Sequence, residues 1–361
     1  MTDMVAAALR APESLSERSL EDWDLLVRQA RAAGLLARLC LRLEAAGLID
    51  RVPEGPRDHL VSARVLTDKQ GRDVRWEARC VVEALRPLGI PVLFLKGAAY
   101  VVADLPAAAG RLFSDVDVLV PRDRIDAVEE TLARNGWAGS DMNDYDQQYY
   151  RRWTHQIPPM AHIRRQVTLD VHHTIVPQTA RIRLASDSLL EAARPLDWPR
   201  GGMVLAPTDM VLHSATHLFN EGEFDRALRD LSDLDVLMRH FAAADAGFWT
   251  ALVDRAAALD LVRPAAYALR YTRAVFDTPV PDDTLDWACR GAGLFGGRRT
   301  LMDLLFKRML VPNHASSRNP GHGLAQWLLY VRSHHIRMPL HILLPHLARK
   351  AWRRQVGEDT V

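Results

Sequence analysis

The chain has 361 residues, 48% of them hydrophobic and 25% charged, with a formal net charge of +1. That length suggests two or three structural units with ample core, and the near-zero charge argues against a global field that would draw nucleic acid or an anionic membrane. The three cysteines, Cys40, Cys80 and Cys289, show neither metal-ligand spacing nor a disulfide framework, which suits a reducing, cytoplasmic setting. The start, Met1-Thr-Asp-Met4, has no basic n-region and no long apolar h-region, so it does not read as a signal peptide. No apolar run approaches the roughly 18 residues of a spanning helix.

In chain order, Ser19-Leu-Glu-Asp22 has the form of a capping box opening a helix, with Trp23, Leu26 and Val27 at helical spacing behind it. Gly34 interrupts, and Leu35, Leu36, Leu39 and Leu43 continue an apolar stripe to Gly47. Val52 to Pro56 reads as a turn, and a long helix is expected from about His59 to Leu85. Residues 1–85 thus form a helical unit, serving either as a substrate or partner surface or simply as a cover for the core.

Val92 to Leu95 is apolar at every position, as in a strand covered on both faces. It stops at Lys96-Gly97, where a helix start would present free N–H groups to an anion. A second strand candidate, Asp115 to Val120, carries Asp115 and Asp117. Side chains at i and i+2 of a strand share a face, so these carboxylates face each other's charge unless a cation sits between them. Magnesium is held this way, by one or two carboxylates plus phosphate oxygens and water. The same repulsion implies that neutralising Asp117 would leave stability unchanged or raise it. A lone Asp-x-Asp also serves as a strand cap, and Lys96 could simply pair with Asp115.

A helix follows from Pro121 to Asn135, with Ile125, Val128 and Leu132 at helical spacing and Gly136 as the stop. Residues 141–165 are polar and aromatic, including Tyr145, Tyr149, Tyr150, Trp153, His155 and His162. They either stack a base near the acidic centre or fill an edge of the core. Val167 to His173 is a third strand, on which Asp170 and His172 share a face. Beside the second strand it would bring three carboxylates together, an arrangement suited to two-metal phosphoryl or nucleotidyl transfer.

Val204 to Asp209 reads as a last short strand and then an N-cap. The helix beyond carries His213 and His217, an i, i+4 pair with zinc-site spacing but no evident third ligand; one histidine hydrogen-bonded to a carboxylate is the competing reading. Asp230 and Asp233 lie in the next helix, either lining a pocket or facing solvent. Helices should continue to the end, with turns at 279–281, 291–297 and 313–323. The stretch 324–354 has basic residues (Arg332, Arg337, Arg349, Lys350, Arg353) interleaved with Trp327, Leu328, Leu343, Leu344 and Trp352. It suits a peripheral membrane or partner contact, or packing on the bundle with snorkelling arginines.

Leu95-Lys-Gly97, Arg111, Ser114-Asp-Val-Asp117, Leu119-Val120 and Asp170-Val-His172 together resemble the nucleotidyltransferase superfamily of the DNA polymerase β type. Their wording is closest to its bacterial, largely uncharacterised nucleotidyltransferase family. The resemblance covers the middle third of the chain best. It implies an α+β fold: a nucleotidyltransferase-like mixed-sheet core at 86–206, flanked by the helical unit 1–85 and a C-terminal helical domain at 207–361. It implies Asp115, Asp117 and Asp170 as catalytic and metal-holding residues for Mg2+ (or Mn2+). Lys96, Gly97, Ala98, Arg111, Ser114 and His172 would hold the nucleotide. The implied activity moves an NMP group from an NTP to an unknown acceptor, a small molecule or a protein, with pyrophosphate release. One departure is Ala98, where the superfamily usually has Ser; it favours the alternative, a non-catalytic nucleotide-binding scaffold of the same fold. A phosphotransferase or phosphohydrolase using the same ions is a third reading.

Overall fold

The computed structural model describes residues 3–15, 17–139, 147, 150, 154–182, 184, 186–339 and 341. Four helices open the chain: α1 (Met4–Arg10), α2 (Leu20–Ala33), α3 (Leu36–Ala45) and α4 (Glu54–Leu85). Ser19 and Asp22 form the expected capping box on α2, and Gly34 closes that helix in the left-handed region at φ 70°. Helix α4 starts at Glu54, earlier than the sequence suggested. Pro56 lies in its first turn, where a missing N–H breaks no intrahelical bond, so part of the supposed turn is helix.

Strand β1 (Val92–Leu95) is buried at all four positions. It pairs antiparallel with β2 (Asp115–Leu119). The seven-residue helix α5 (Lys96–Val102) lies between them, and α6 (Ile125–Arg134) follows β2. Then come β3 (Trp137–Gly139), β4 (Met160–His162), β5 (Thr168–His172), α7 (Asp187–Ala192), β6 (Arg194–Pro195) and β7 (Gly202–Val204). Among the described residues these make one seven-stranded sheet, ordered β3-β4-β5-β2-β1-β7-β6. The pairs β2–β5 and β1–β7 are parallel and the others antiparallel, which gives the mixed sheet of the expected α+β class. Of the aromatic stretch before β4, Tyr145, Tyr149 and Trp153 lie outside the described residues.

The chain then runs through α8 (Pro207–Asn220), α9 (Ala227–Ala244), α10 (Phe248–Ala258), α11 (Val262–Phe276), α12 (Asp282–Gly291), α13 (Gly296–Met309) and α14 (His322–Arg337). Asp209 is not the cap of α8. Pro207 occupies the first turn, and buried Asp209 pairs with Arg255 on α10 at 2.7 Å. Phe219, Tyr267, Tyr271 and Phe306 pack their rings at 4.9–6.1 Å, joining α8, α11 and α13. Arg332, read from sequence as part of a basic tail, lies over Tyr267 and Phe306 and donates to the Phe219 carbonyl at 2.7 Å. For that residue, packing is the outcome. Leu324, Trp327 and Val331 on α14 are exposed, at the i, i+3, i+7 spacing of one helix face. Leu343, Leu344, Arg349, Lys350, Trp352, Arg353 and Arg354 lie outside the described residues. No described helix is long and apolar enough to cross a membrane.

One buried ion cluster ties the three stretches of chain together. Asp233 on α9 lies 2.7 Å from Arg38 of α3 and 2.8 Å from Arg111, which precedes β2. Arg38 also donates to the Ala107 carbonyl at 2.7 Å. The N-terminal helices therefore brace the site as well as cover the sheet.

Candidate metal centre and its cavity

The parallel register of β2 and β5 places Asp117 opposite Asp170 and Leu119 opposite His172. Asp115, Asp117, Asp170 and His172 then share one face of the sheet. Asp117, Asp170 and His172 each offer a ligand atom, all within 4.8 Å of one another. Asp115 is not a member of that cluster. It stands at the start of β2, lines the adjoining cavity, and acts through its charge on Lys96 and Asp170. The expected trio of carboxylates is thus two carboxylates with an imidazole, Asp115 lying nearby.

Neighbouring charges treat these two aspartates in opposite ways. Burial would raise the pKa of Asp117, which is only 4% exposed, but Lys96 at 3.4 Å and His172 Nε2 at 2.9 Å outweigh burial and hold it well below the carboxylate range. Lys96 in turn stays protonated: burial opposes its charge, and Asp117, Glu221, Asp115 and Asp170 overcome that. Its partner is Asp117 and not Asp115. For Asp170 the same two groups, His172 and Lys96, do not prevail. Burial, then the charge of Asp117, push it up to about 6. Its Oδ1 is buried and has no hydrogen-bond partner among the described residues. An oxygen left in that state beside a second carboxylate fits a hard divalent cation, which would supply the missing partner and relieve the repulsion. Repulsion therefore resides on Asp170, and the expectation that neutralising Asp117 is harmless to stability is corrected. Removing the Asp117 charge would strip Lys96 of its partner.

A cavity of about 200 Å³ opens from this face. Its sheet wall carries Lys96, Asp115 and Asp117, with Ser114 beside them; its helical wall carries Ser214 and His217 of α8, and Arg229 and Asp230 of α9. Lys96 adopts φ 45°, a left-handed conformation unusual for a side-chain-bearing residue, where β1 turns into α5. Gly97 and Ala98 are buried and do not line the cavity. A Cβ on Gly97 would meet Arg111 Nη1 at 2.1 Å, so glycine is required because a guanidinium lies against the helix start. The expected phosphate cradle at Gly97–Ala98 is replaced by that contact on a helix of two turns. Arg111 does line the cavity, but its Nε is committed to Asp233 and its guanidinium stacks over Tyr100 and Phe113. His172 is 1% exposed and stands against Asp117 without lining the cavity.

The histidines of α8 part company. His213 is buried, held neutral by burial and by nearby Lys96, and its Nδ1 has no partner among the described residues. His217 Nε2 lies 3.0 Å from Glu221 Oε2, the carboxylate-paired arrangement that competed with zinc, and the two histidines gather no third ligand among the described residues. His155 stacks on His172 with ring centroids 5.1 Å apart, and burial keeps it neutral. Sequence reasoning missed Glu221, Glu223, Arg229 and Ser214. Only Glu221 left a signal, one helical turn beyond His217. Asp230 and Asp233 both line the cavity, Asp230 paired with Arg229 at 2.8 Å.

A mixed sheet thus carries an acidic cluster able to hold a metal ion next to a polar cavity. The chain belongs to the uncharacterised nucleotidyltransferase family, whose profile matches residues 19–277. That span runs from α2 through α11 and includes every side chain of the site. No curated protein and no solved structure matches the chain.

Proposed function

We propose that this protein transfers an NMP group from an NTP to an acceptor and releases pyrophosphate. The observation that carries the reading is the Asp117–Asp170 register, with Asp170 Oδ1 buried and without a hydrogen-bond partner among the described residues. Asp117 and Asp170 would hold a divalent cation, Mg2+ or Mn2+. When bound, such a cation neutralises phosphate charge and orients the α-phosphate. His172 fixes the Asp117 carboxylate by its 2.9 Å contact. Lys96, whose charged form the surrounding carboxylates favour and which lines the cavity, is positioned to stabilise the leaving pyrophosphate. Arg111 positions the helical wall through Asp233. The domain reading stays with this proposal: a helical unit to 85, a catalytic core at 86–206 and helices from 207 on.

Ala98 was the one feature favouring a non-catalytic scaffold. It is 1% exposed and away from the cavity, so a missing hydroxyl there removes nothing from the lining. The test incubates the protein with each of the four NTPs and Mg2+ or Mn2+, scoring released pyrophosphate and the labelled product. Release with at least one NTP, abolished by chelator, is the expected result. No release, and no stabilisation by metal and NTP together, would contradict the reading.

A further inference from the structure

The cavity has two unlike poles. The sheet pole holds Lys96, Asp115 and Asp117, where the nucleotide reading places the metal and the phosphates. The helical pole holds Ser214, His217, Glu223 and the Arg229–Asp230 pair. Nothing in the phosphate chemistry employs this second pole. Arg229 is paired, its Nε and Nη2 both donating to Asp230 Oδ1 at 2.9 and 2.8 Å, and Arg111, which also lines the cavity, donates from Nε to Asp233 at 2.8 Å. Glu223 adds an exposed carboxylate. An acceptor ending in a carboxylate or phosphate would meet the negative charge of Glu223 there, beside arginines already paired with Asp230 and Asp233. A neutral hydroxyl would meet a histidine.

Resting on the nucleotidyltransferase reading, we propose that His217 is the general base that takes the proton of a neutral hydroxyl acceptor, and that Glu221 is its positioning residue. Glu221 Oε2 lies 3.0 Å from His217 Nε2, and no hydrogen bond among the described residues takes Nδ1. The contrast with its neighbours is geometric. The Nδ1 atoms of His155, His172 and His213 are buried without hydrogen-bond partners among the described residues, whereas the His217 side chain is 29% exposed and lines the cavity. A base engaged on one nitrogen by a carboxylate, with the other nitrogen available, is the arrangement that orients an imidazole for proton abstraction. The backbone of Glu221 is itself anchored: Arg337 of α14 donates to the Glu221 carbonyl at 3.1 Å, and the Glu221 carboxylate acts on Lys96 through its charge.

In the step, the acceptor oxygen forms a bond to the α-phosphorus as its proton passes to His217 Nδ1. The bond between the α-phosphorus and the bridging oxygen breaks, and pyrophosphate leaves with that electron pair. The product is a phosphodiester of the acceptor. The charged groups around His217 are Glu221 and His213 on its own helix or just past it, Asp230 from α9, Asp117 from β2, Lys96 from the β1–α5 junction, and Glu223 at the cavity.

The test compares two probe acceptors with the full chain and Mg-NTP: glycerol, whose hydroxyl must lose a proton, and hydroxylamine, a nucleophile that needs no base near neutral pH. His217→Gln should lower pyrophosphate release to glycerol by about 100-fold and remove the acid limb of its pH–rate profile. Release to hydroxylamine should stay within about threefold. Glu221→Gln should cost about tenfold with glycerol and keep the profile's shape. Equal loss with both acceptors, or loss with neither, overturns the assignment of His217. Wild-type release to hydroxylamine alone overturns the hydroxyl class. No wild-type release with either acceptor is the separate failure of the nucleotidyltransferase reading, and the inference falls with it.

Discussion

Two aspartates, one on the helical wall of the cavity and one on the sheet next to it, have been dealt with differently. Asp233, on the helical wall, lies between the guanidiniums of Arg38 and Arg111 at 2.7 and 2.8 Å. Asp170, on β5 opposite Asp117, has a second carboxylate beside it, an oxygen without a hydrogen-bond partner among the described residues, and a pKa pushed up to about 6 by burial and by Asp117. The first is a closed ion cluster that braces three stretches of chain. The second is incomplete as the protein alone provides it. Charge that is already balanced reads as architecture, and charge left unbalanced at a cavity reads as a place for something to bind.

The largest effect should come from breaking the closed cluster. Asp233→Ala leaves two guanidiniums buried without a counter-charge, a loss that typically costs about 3–5 kcal/mol. Urea unfolding should show that drop. A change within about 0.5 kcal/mol would mean the cluster is not what braces the helical wall. A smaller effect is expected from Gly97→Ala, whose new Cβ would overlap the Arg111 guanidinium. Displacing it should cost about 1–3 kcal/mol and loosen the Arg111–Asp233 contact. If Gly97→Ala unfolds at the wild-type urea concentration, Arg111 has room to move and glycine is not required by that contact.

The acidic face was legible in the sequence because strands have a period of two. Asp115 and Asp117 share one face of their strand, and Asp170 and His172 one face of theirs, by parity alone, once each stretch is read as a strand. What parity could not give was the register between β2 and β5. It is the pairing of Asp117 with Asp170 that leaves Asp115 outside the cluster and draws His172 in. Gly97 was seen as a glycine at a helix start, but its reason is a guanidinium from a residue further along the chain. The Arg38–Asp233–Arg111 cluster was out of reach for the same cause: its partners are separated by up to 195 positions, and only folding brings them together. His217 was noticed for its spacing to His213, whereas the carboxylate 3.0 Å from its Nε2 is Glu221 in the other direction.

The central claim is that the sheet-wall carboxylates are poised for a divalent cation. Asp170→Asn tests it most directly, because it removes the uncompensated charge and leaves the Lys96–Asp117 pair in place. At pH 7.5 in metal-free buffer the variant should be more stable than the wild type by about 1–3 kcal/mol, since a buried, repelled carboxylate has been neutralised. Adding Mg2+ or Mn2+ with NTP should raise the melting temperature of the wild type and leave the variant's unchanged, and the variant should release pyrophosphate at least about 100-fold more slowly. If Asp170→Asn melts below the wild type in metal-free buffer, and metal with NTP stabilises both proteins alike, the carboxylates are structural and the metal centre is not there.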